Sequence, residues 1–304
     1  MSLTIASVNV NGIRAATKIR NEDNPGMLAW LTETPADVVL MQEVRATVDQ
    51  ARAALAPALE QGWNLEVAPA EAPGAKGRAG VGILSRTPLD DVTFGIPTFE
   101  DAGRFIAATL HDGTRVGSLY LPSGSAGTAK QDEKYRFLDE FEALLERWAD
   151  EYPNMVIGGD WNICHRREDL KNWKTNNKKS GFLPHERAFM DAIFGCFPDD
   201  EPQDAELKAD PVWAGAVEYG AEGRREANGD PKWFDVARRL QPEDASFTWW
   251  TFRGQAFNNN AGWRIDVQAA TANMLERAEH TWVDKAPTVE QRWSDHSPLV
   301  VEYR

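Results

Sequence analysis

Four short, largely apolar runs constrain this chain's fold more than any other feature: Leu3 to Val8, Val38 to Met41, Met155 to Ile157 and Leu299 to Val301. Rich in Val, Ile and Leu and too short for helices, they read as strands buried on both faces. Helical patterns lie between them. From Gln131 to Glu151 the side chains of Tyr135, Leu138, Phe141, Leu144, Leu145 and Trp148 fall on one face, the stripe of a helix packed on a core. Thr47 to Gln61 and Leu183 to Phe194 are predicted as further helices, and Asn24 before Pro25 as the cap of a helix through Ala29-Trp30-Leu31. Two of these runs extend to strands over Asp37 to Gln42 and Ser297 to Glu302, and other strands are predicted at Ala79 to Ser85, Phe105 to Leu110, Val116 to Leu121, Phe247 to Phe252 and Arg264 to Ala269. Buried strands interleaved with helices imply an α/β protein, two packed sheets with helices outside.

No Pro/Gly/Ser-rich linker divides the 304 residues, so a single domain over 1–304 is expected, large enough for a substantial core. Residues 198–244 break the pattern. They are polar, acidic and turn-rich, with a short helix near Lys232 to Leu240, and read as a surface insertion. The longest apolar runs fall far short of a bilayer span, and Met-Ser-Leu-Thr-Ile-Ala has no basic leader. Two cysteines, Cys164 and Cys196, are too few for a disulfide framework or a cysteine-based metal site. These features point to a cytoplasmic, non-membrane protein, with a monomer as the simplest state.

A net charge of −14 argues against a nucleic-acid partner, whose binding proteins are usually basic. The distribution matters more than the sum. From His165 to Arg187 seven basic residues face three acidic ones, while from Asp199 to Asp244 thirteen acidic residues face six basic. One cationic loop on an acidic molecule can still engage a phosphate backbone locally.

Four polar islands border the apolar runs: Asn9-Val10-Asn11-Gly12, Gln42-Glu43, Gly158-Gly159-Asp160-Trp161-Asn162 and Ser294-Asp295-His296. Carboxylates, carboxamides and an imidazole at strand ends suit a phosphoesterase site built around a hard cation: oxygen ligands fit Mg²⁺, with Mn²⁺ able to substitute, and His and Asn donate to phosphate. Asp160 and Asn162 are two apart, so both can face one way at a strand end. Glu43 at a strand terminus suits a cation. His296 is the one histidine of five set among other candidate residues, and Tyr120 ends a strand where its phenol can reach a phosphate. In Phe247-Thr248-Trp249-Trp250-Thr251-Phe252 the alternation is poor, so one of the adjacent tryptophans must face outward or into a cleft.

Asn9 through Ala16, Gln42-Glu43, Leu119-Tyr120-Leu121-Pro122, Gly159-Asp160-Trp161-Asn162, Gly262-Trp263-Arg264-Ile265-Asp266 and Ser294-Asp295-His296 occur in an order and spacing that resemble the exonuclease III family of abasic-site endonucleases, within the endonuclease/exonuclease/phosphatase superfamily. The resemblance runs from about Leu3 to Val301 and is weakest across the acidic segment. It implies a four-layer α/β sandwich, two mixed sheets face to face with helices outside and the active site at one edge. It implies Mg²⁺ on Glu43, flanked by Asn9 and Asn11, with Asp160, Asn162 and Asp295 also near the metal. By the same resemblance Asp160 handles the water or leaving group, Asn162 donates to the transition state, and Asp266 pairs with His296. Trp249, Trp263 and Ile265 match a small apolar pocket for a base-less sugar. Arg264, Arg253, Lys76, Lys174 and Lys178 are candidate phosphate contacts. The implied partner is duplex DNA with abasic sites or 3′ ends. The chain departs from close relatives at Ser123, where a longer Gln or Asn usually reaches DNA. The rival readings are another phosphoesterase of the superfamily, acting on inositol phosphates, sphingomyelin or undamaged DNA, and a non-catalytic DNA-binding scaffold.

Overall fold

Strands with two apolar faces need cover on both sides, and the architecture supplies it. The computed structural model describes residues 2–72, 77–195, 217–218, 224–243 and 246–304. Within these, strands β1 (Leu3–Asn9), β2 (Val38–Gln42), β3 (Asn64–Ala68), β4 (Val81–Ser85), β13 (Ala278–Val283) and β14 (Leu299–Tyr303) form one six-stranded sheet in the order β13-β14-β1-β2-β4-β3. The second sheet has the order β11-β12-β8-β7-β6-β5, from β5 (Asp90–Phe94), β6 (Phe105–Thr109), β7 (Arg115–Tyr120), β8 (Met155–Asp160), β11 (Trp233–Asp235) and β12 (Asp266–Thr271). A two-residue pair, β9 (Val217–Glu218) with β10 (Arg224–Arg225), stands apart.

Ile5, Leu40 and Ile83 of the first sheet meet Ile106, Val116 and Val156 of the second in a buried interlayer. The sheets approach closely at Gly158, where an added Cβ would lie 2.7 Å from Leu40 Cδ1 and 3.0 Å from Ser7 Cβ. Helix Ala129–Glu151 lays Phe137, Leu138, Phe141, Leu144 and Leu145 on the outer face of the second sheet. Helices Met27–Glu33 and Val48–Ala54 cover the first with Met27, Leu31 and Ala51. This is the expected four-layer sandwich. Each fully buried Leu or Phe contributes about 1.5–3 kcal/mol of transfer free energy.

Topology places the site. β1 runs parallel to β2 in one sheet and β7 parallel to β8 in the other, so Asn9, Gln42, Tyr120 and Asp160 end their strands at the same edge. β12 is antiparallel to β8 with Asp266 opposite Asp160, so it enters the sheet where β8 leaves it.

Several local expectations are corrected. Asn24 does not cap a helix: it is buried, and its Nδ2 donates to the carbonyls of Glu290 and Arg292, while Gly26 precedes the helix. The expected helix over 47–61 is two, Val48–Ala54 and Ala56–Glu60, since Pro57 has no N–H to continue the first. Thr47 caps the first through Gln50. Phe247 to Phe252 is not a strand; only Trp249 there makes isolated bridges, to Trp263 and His296. β3, β5 and β13 lie at or next to sheet edges, and β5 is nearly all exposed, so no apolar run announces it.

The described part of the acidic segment packs against the rest of the protein. Trp233 is buried and donates its indole N–H to Leu145 O (2.8 Å), and β11 pairs with β12 at the second sheet's edge. Arg225 pairs with Asp139 (2.9 Å) and Glu142 (2.6 Å) of the long helix. Residues 224–243 thus pack on the long helix and on the edge of the second sheet. Most of the remainder of 198–244 lies outside the described residues, as do Cys196 and Lys76.

Candidate active site

The strand ends converge on a cleft of about 370 Å³, lined by Glu43, Tyr120, Ser123, Asp160, Asn162, Trp249, Trp263, Ile265, Asp295 and His296. Another cavity of about 240 Å³, lined by Glu168, Phe247, Trp250 and Lys285 among others, contains none of these groups.

Asp160 is the hub. Its Oδ2 accepts from Asn9 Nδ2 (2.9 Å) and its Oδ1 from the Asn162 backbone N–H (2.9 Å). Asn9 Nδ2 also donates to Glu43 Oε1 (2.9 Å), so one carboxamide joins the two carboxylates. Asn9 Oδ1 in turn accepts the Asn11 N–H (2.9 Å), and Asn11 Nδ2 donates to Asp295 Oδ1 (2.8 Å). Trp249 Nε1 satisfies the other Asp295 oxygen (3.0 Å). Asn9 and Asn11 thus turn amide nitrogens toward the carboxylates, which a cation cannot use. In this arrangement Asn9 and Asn11 position the acids. Asn11, Glu43 and Asn162 all take left-handed backbone (φ 49°, 49° and 51°), unusual for Glu and a local cost accepted where side chains must be aimed.

His296 is buried between two aspartates. Its Nδ1 lies 2.8 Å from Asp266 Oδ2, which directs Nε2 toward Asp160 Oδ2 at 3.8 Å. Burial works against the imidazolium, yet the Asp266 and Asp160 carboxylates outweigh it and hold the histidine pKa above its ordinary value. Burial raises Asp160; His296 opposes this, while Asp266 and Glu43 add to it. The Tyr120 hydroxyl is pushed up by burial and then by Glu43, to which it is hydrogen-bonded, and by Asp160.

The donor set fits a hard divalent cation. Glu43, Asp160 and Asp295 offer only oxygen, and burial first, with Asp266 and Glu43 adding to it, drives the Asp160 carboxyl toward its neutral form, a cost that a bound cation would offset. Among the described residues no three His, Cys, Asp or Glu converge tightly enough to enclose an ion.

The family pattern matches residues 6–296, nearly the whole chain. The chain belongs to the Endonuclease/Exonuclease/phosphatase family. This family member is 28% identical over 303 residues to an exodeoxyribonuclease of Bacillus subtilis (strain 168), covering 98% of each chain. It is 27% identical over 278 residues to the DNA repair nuclease APEX1 of Danio rerio, covering 90% of this chain and 74% of that one. Solved structures share the fold over 99% of both chains: an AP endonuclease from Archaeoglobus fulgidus (TM-score 0.74, 23% identity) and the 3′ phosphatase NExo from Neisseria bound to a product DNA hairpin (TM-score 0.74, 24% identity).

In this family member the structure gathers Glu43, Tyr120, Asp160, Asn162, Asp266, Asp295 and His296 around the cleft. Trp249 and Trp263 form one wall, rings edge-on at 6.0 Å and 82°, with Ile265 beside them. Trp250 is the tryptophan turned to the core. Arg264 is corrected as a phosphate contact: it is 2% exposed, with Nε 2.7 Å from Asp169 Oδ1 and one NH₂ 2.6 Å from Asp235 Oδ2. Arg253, Lys174 and Lys178 are exposed, Lys174 on the short helix Trp173–Asn176 and Lys178 in the turn that leads from it to Ser180-Gly181 at the cleft. Sequence reasoning missed Arg45, which pairs with Glu43, and Arg104, whose guanidinium sits 4.8 Å from the Tyr120 ring centroid. It missed Ser294 Oγ, donating to Asn9 O (2.6 Å), and Thr248 Oγ1, accepting the N–H groups of Ile265 and Asp266. The Ser before Asp295-His296 was visible; its long-range partner was not.

Among the described residues no helix is long and apolar enough to cross a membrane.

Proposed function

We propose that the protein is a metal-dependent DNA repair phosphodiesterase of exonuclease III type, hydrolysing the phosphodiester 5′ to an abasic site. The same apparatus removes 3′-terminal nucleotides or blocking groups from duplex DNA. One observation carries the reading: the Asp160–His296–Asp266 array and the Trp249/Trp263/Ile265 wall line a single cleft. The array suits phosphodiester hydrolysis. The wall suits the apolar face of a flipped-out, base-less deoxyribose. Another phosphoesterase of the family needs the array but has no use for the wall.

Asp160 orients and deprotonates the attacking water, in line with the departing 3′ oxygen. His296, charged through Asp266, and the Asn162 carboxamide donate to non-bridging oxygens as charge develops there. Tyr120 donates a hydrogen bond to the same phosphate, its raised pKa keeping the phenol protonated. Mg²⁺, with Mn²⁺ as substitute, held through Glu43 and the Asp160 and Asp295 oxygens, would neutralise phosphate and leaving-group charge. Exposed Arg253, Lys174 and Lys178 contact backbone phosphates beside the cleft, which reconciles DNA binding with a net charge of −14. The working unit is a cytoplasmic monomer.

The test is an end-labelled duplex carrying one tetrahydrofuran abasic analogue, beside an undamaged duplex. Incision immediately 5′ to the analogue is expected with Mg²⁺ and none with EDTA. Cleavage of a lipid or inositol phosphate with no action on the abasic duplex would overturn the reading. Trp263→Ala is expected to lower the preference for abasic over plain duplex by roughly tenfold, the scale of a lost apolar contact. Equal losses on both substrates would count against the wall as a selectivity element.

A further inference from the structure

A lysine and a glutamate with wholly buried side chains lie directly behind the cleft. Lys134, on the long helix Ala129–Glu151, and Glu186, on helix Pro184–Phe194, meet at 2.6 Å with both side chains 0% exposed. Burying such a pair is costly, and an apolar pair of similar volume would often serve stability as well. What distinguishes this one is where its remaining hydrogen bonds go.

Lys134 Nζ has three protons and three acceptors: Glu186 Oε1, the Asn162 carbonyl (3.0 Å) and the Ser123 carbonyl (3.4 Å). Glu186 accepts from Gln131 Nε2 (3.0 Å) and from the backbone N–H groups of Gly181 (2.7 Å) and Leu183 (2.9 Å). Ser180 Oγ donates to the Ser123 carbonyl (2.6 Å), closing the circuit. Ser123, Asn162, Ser180 and Gly181 all line the cleft. Gly181 has φ +93°, and a Cβ there would lie 2.8 Å from the Trp263 ring, so the indole packs flush on its backbone.

We propose that Lys134, locked by Glu186, is a positioning residue that sets the Asn162 carboxamide and the Trp263 wall at a common distance from the reacting phosphate. The assignment rests on the nuclease reading above. One ammonium, rigid on a long helix, holds the backbone of the Asn162 loop directly and, through Glu186, that of loop 180–183, on whose Gly181 the Trp263 ring packs. Neither Lys134 nor Glu186 touches substrate. Their effect passes through the three loops 121–124, 161–164 and 180–183.

Lys134→Met, Lys134→Met/Glu186→Gln and, as a control on the same helix facing the outer core, Leu144→Ala separate positioning from folding. Lys134→Met leaves a buried carboxylate unpaired and should lower Tm; adding Glu186→Gln neutralises it and should restore part of that loss. The catalytic defect should not follow. Both Lys134 variants are expected to lose roughly 10- to 10²-fold in kcat with KM little changed, the scale of a small misplacement of catalytic groups. Leu144→Ala should lose Tm with near-normal kcat well below its transition. Hydrogen exchange should rise in the three loops in both Lys134 variants and not in Leu144→Ala. If kcat tracks Tm across all three proteins, the pair is only structural. Should the wild type fail to cut an abasic duplex, the nuclease reading fails by itself. Exchange then still decides the positioning role, since unchanged protection of the three loops in Lys134→Met overturns it.

Discussion

Asp160→Asn is expected to lower kcat on an abasic duplex by roughly 10²- to 10⁴-fold, the contribution of a positioned general base, while binding of that duplex survives. The substitution keeps the shape and one acceptor. Asp160 receives the Asn162 N–H on one oxygen and Asn9 Nδ2 on the other, and an asparagine can satisfy only one of them. One buried donor is left without a partner, costing about 1–3 kcal/mol, so a modest fall in Tm should accompany the kinetic loss. His296 also loses the carboxylate 3.8 Å from its Nε2. Single-turnover cleavage and equilibrium binding, measured on the same duplex, separate the two effects. Near-normal cleavage would move the base elsewhere in the cleft.

Asp169→Asn should have the largest effect on stability, about 3–5 kcal/mol, because it breaks a buried ion network by removing one sign of charge. Asp169 is fully buried and accepts from Arg264 Nε (2.7 Å), from Arg238 and from the Arg166 backbone N–H (2.8 Å). Only Asp235 then remains to compensate Arg264. Burial alone would raise the Asp169 carboxyl; Arg264 and then Arg238 hold it below the usual carboxylate range. A depressed pKa adds stability that is fully present above the unfolded-state value of about 4 and is lost as pH falls below it. Urea unfolding at pH 7 and pH 3 should therefore show a wild-type advantage that shrinks at the lower pH. An equal gap at both would assign the loss to packing instead. Arg264 lies between Trp263 and Ile265, so the same variant should also loosen the cleft wall.

The acids, amides and imidazole of the candidate site were legible because a polar residue closing an apolar strand stands out against its neighbours, and strand ends are where parallel strands gather side chains. Asp160 and Asn162, Glu43 and His296 all sit where that logic puts them. Partners were not legible. Arg264 beside Trp263 reads as a surface cation until the fold brings Asp169, 95 positions away, against its guanidinium. Lys134 sits in a polar stretch at the start of a helix whose apolar stripe begins later, and nothing local marks it as buried. Asn9 and Asn11 carry ligand-like side chains, and only atomic geometry shows that they present nitrogen to the carboxylates.

By itself the sequence determined the α/β class and the edge at which chemistry collects, since hydrophobic periodicity and strand-terminal polarity are local properties. The tertiary structure alone decided three things: which cations are spent on buried carboxylates, which tryptophan of an adjacent pair faces the cleft, and how residues 224–243 of the acidic segment pack on the second sheet. These depend on contacts between residues tens to hundreds of positions apart, and burial and charge pairing at that range have no counterpart in local pattern.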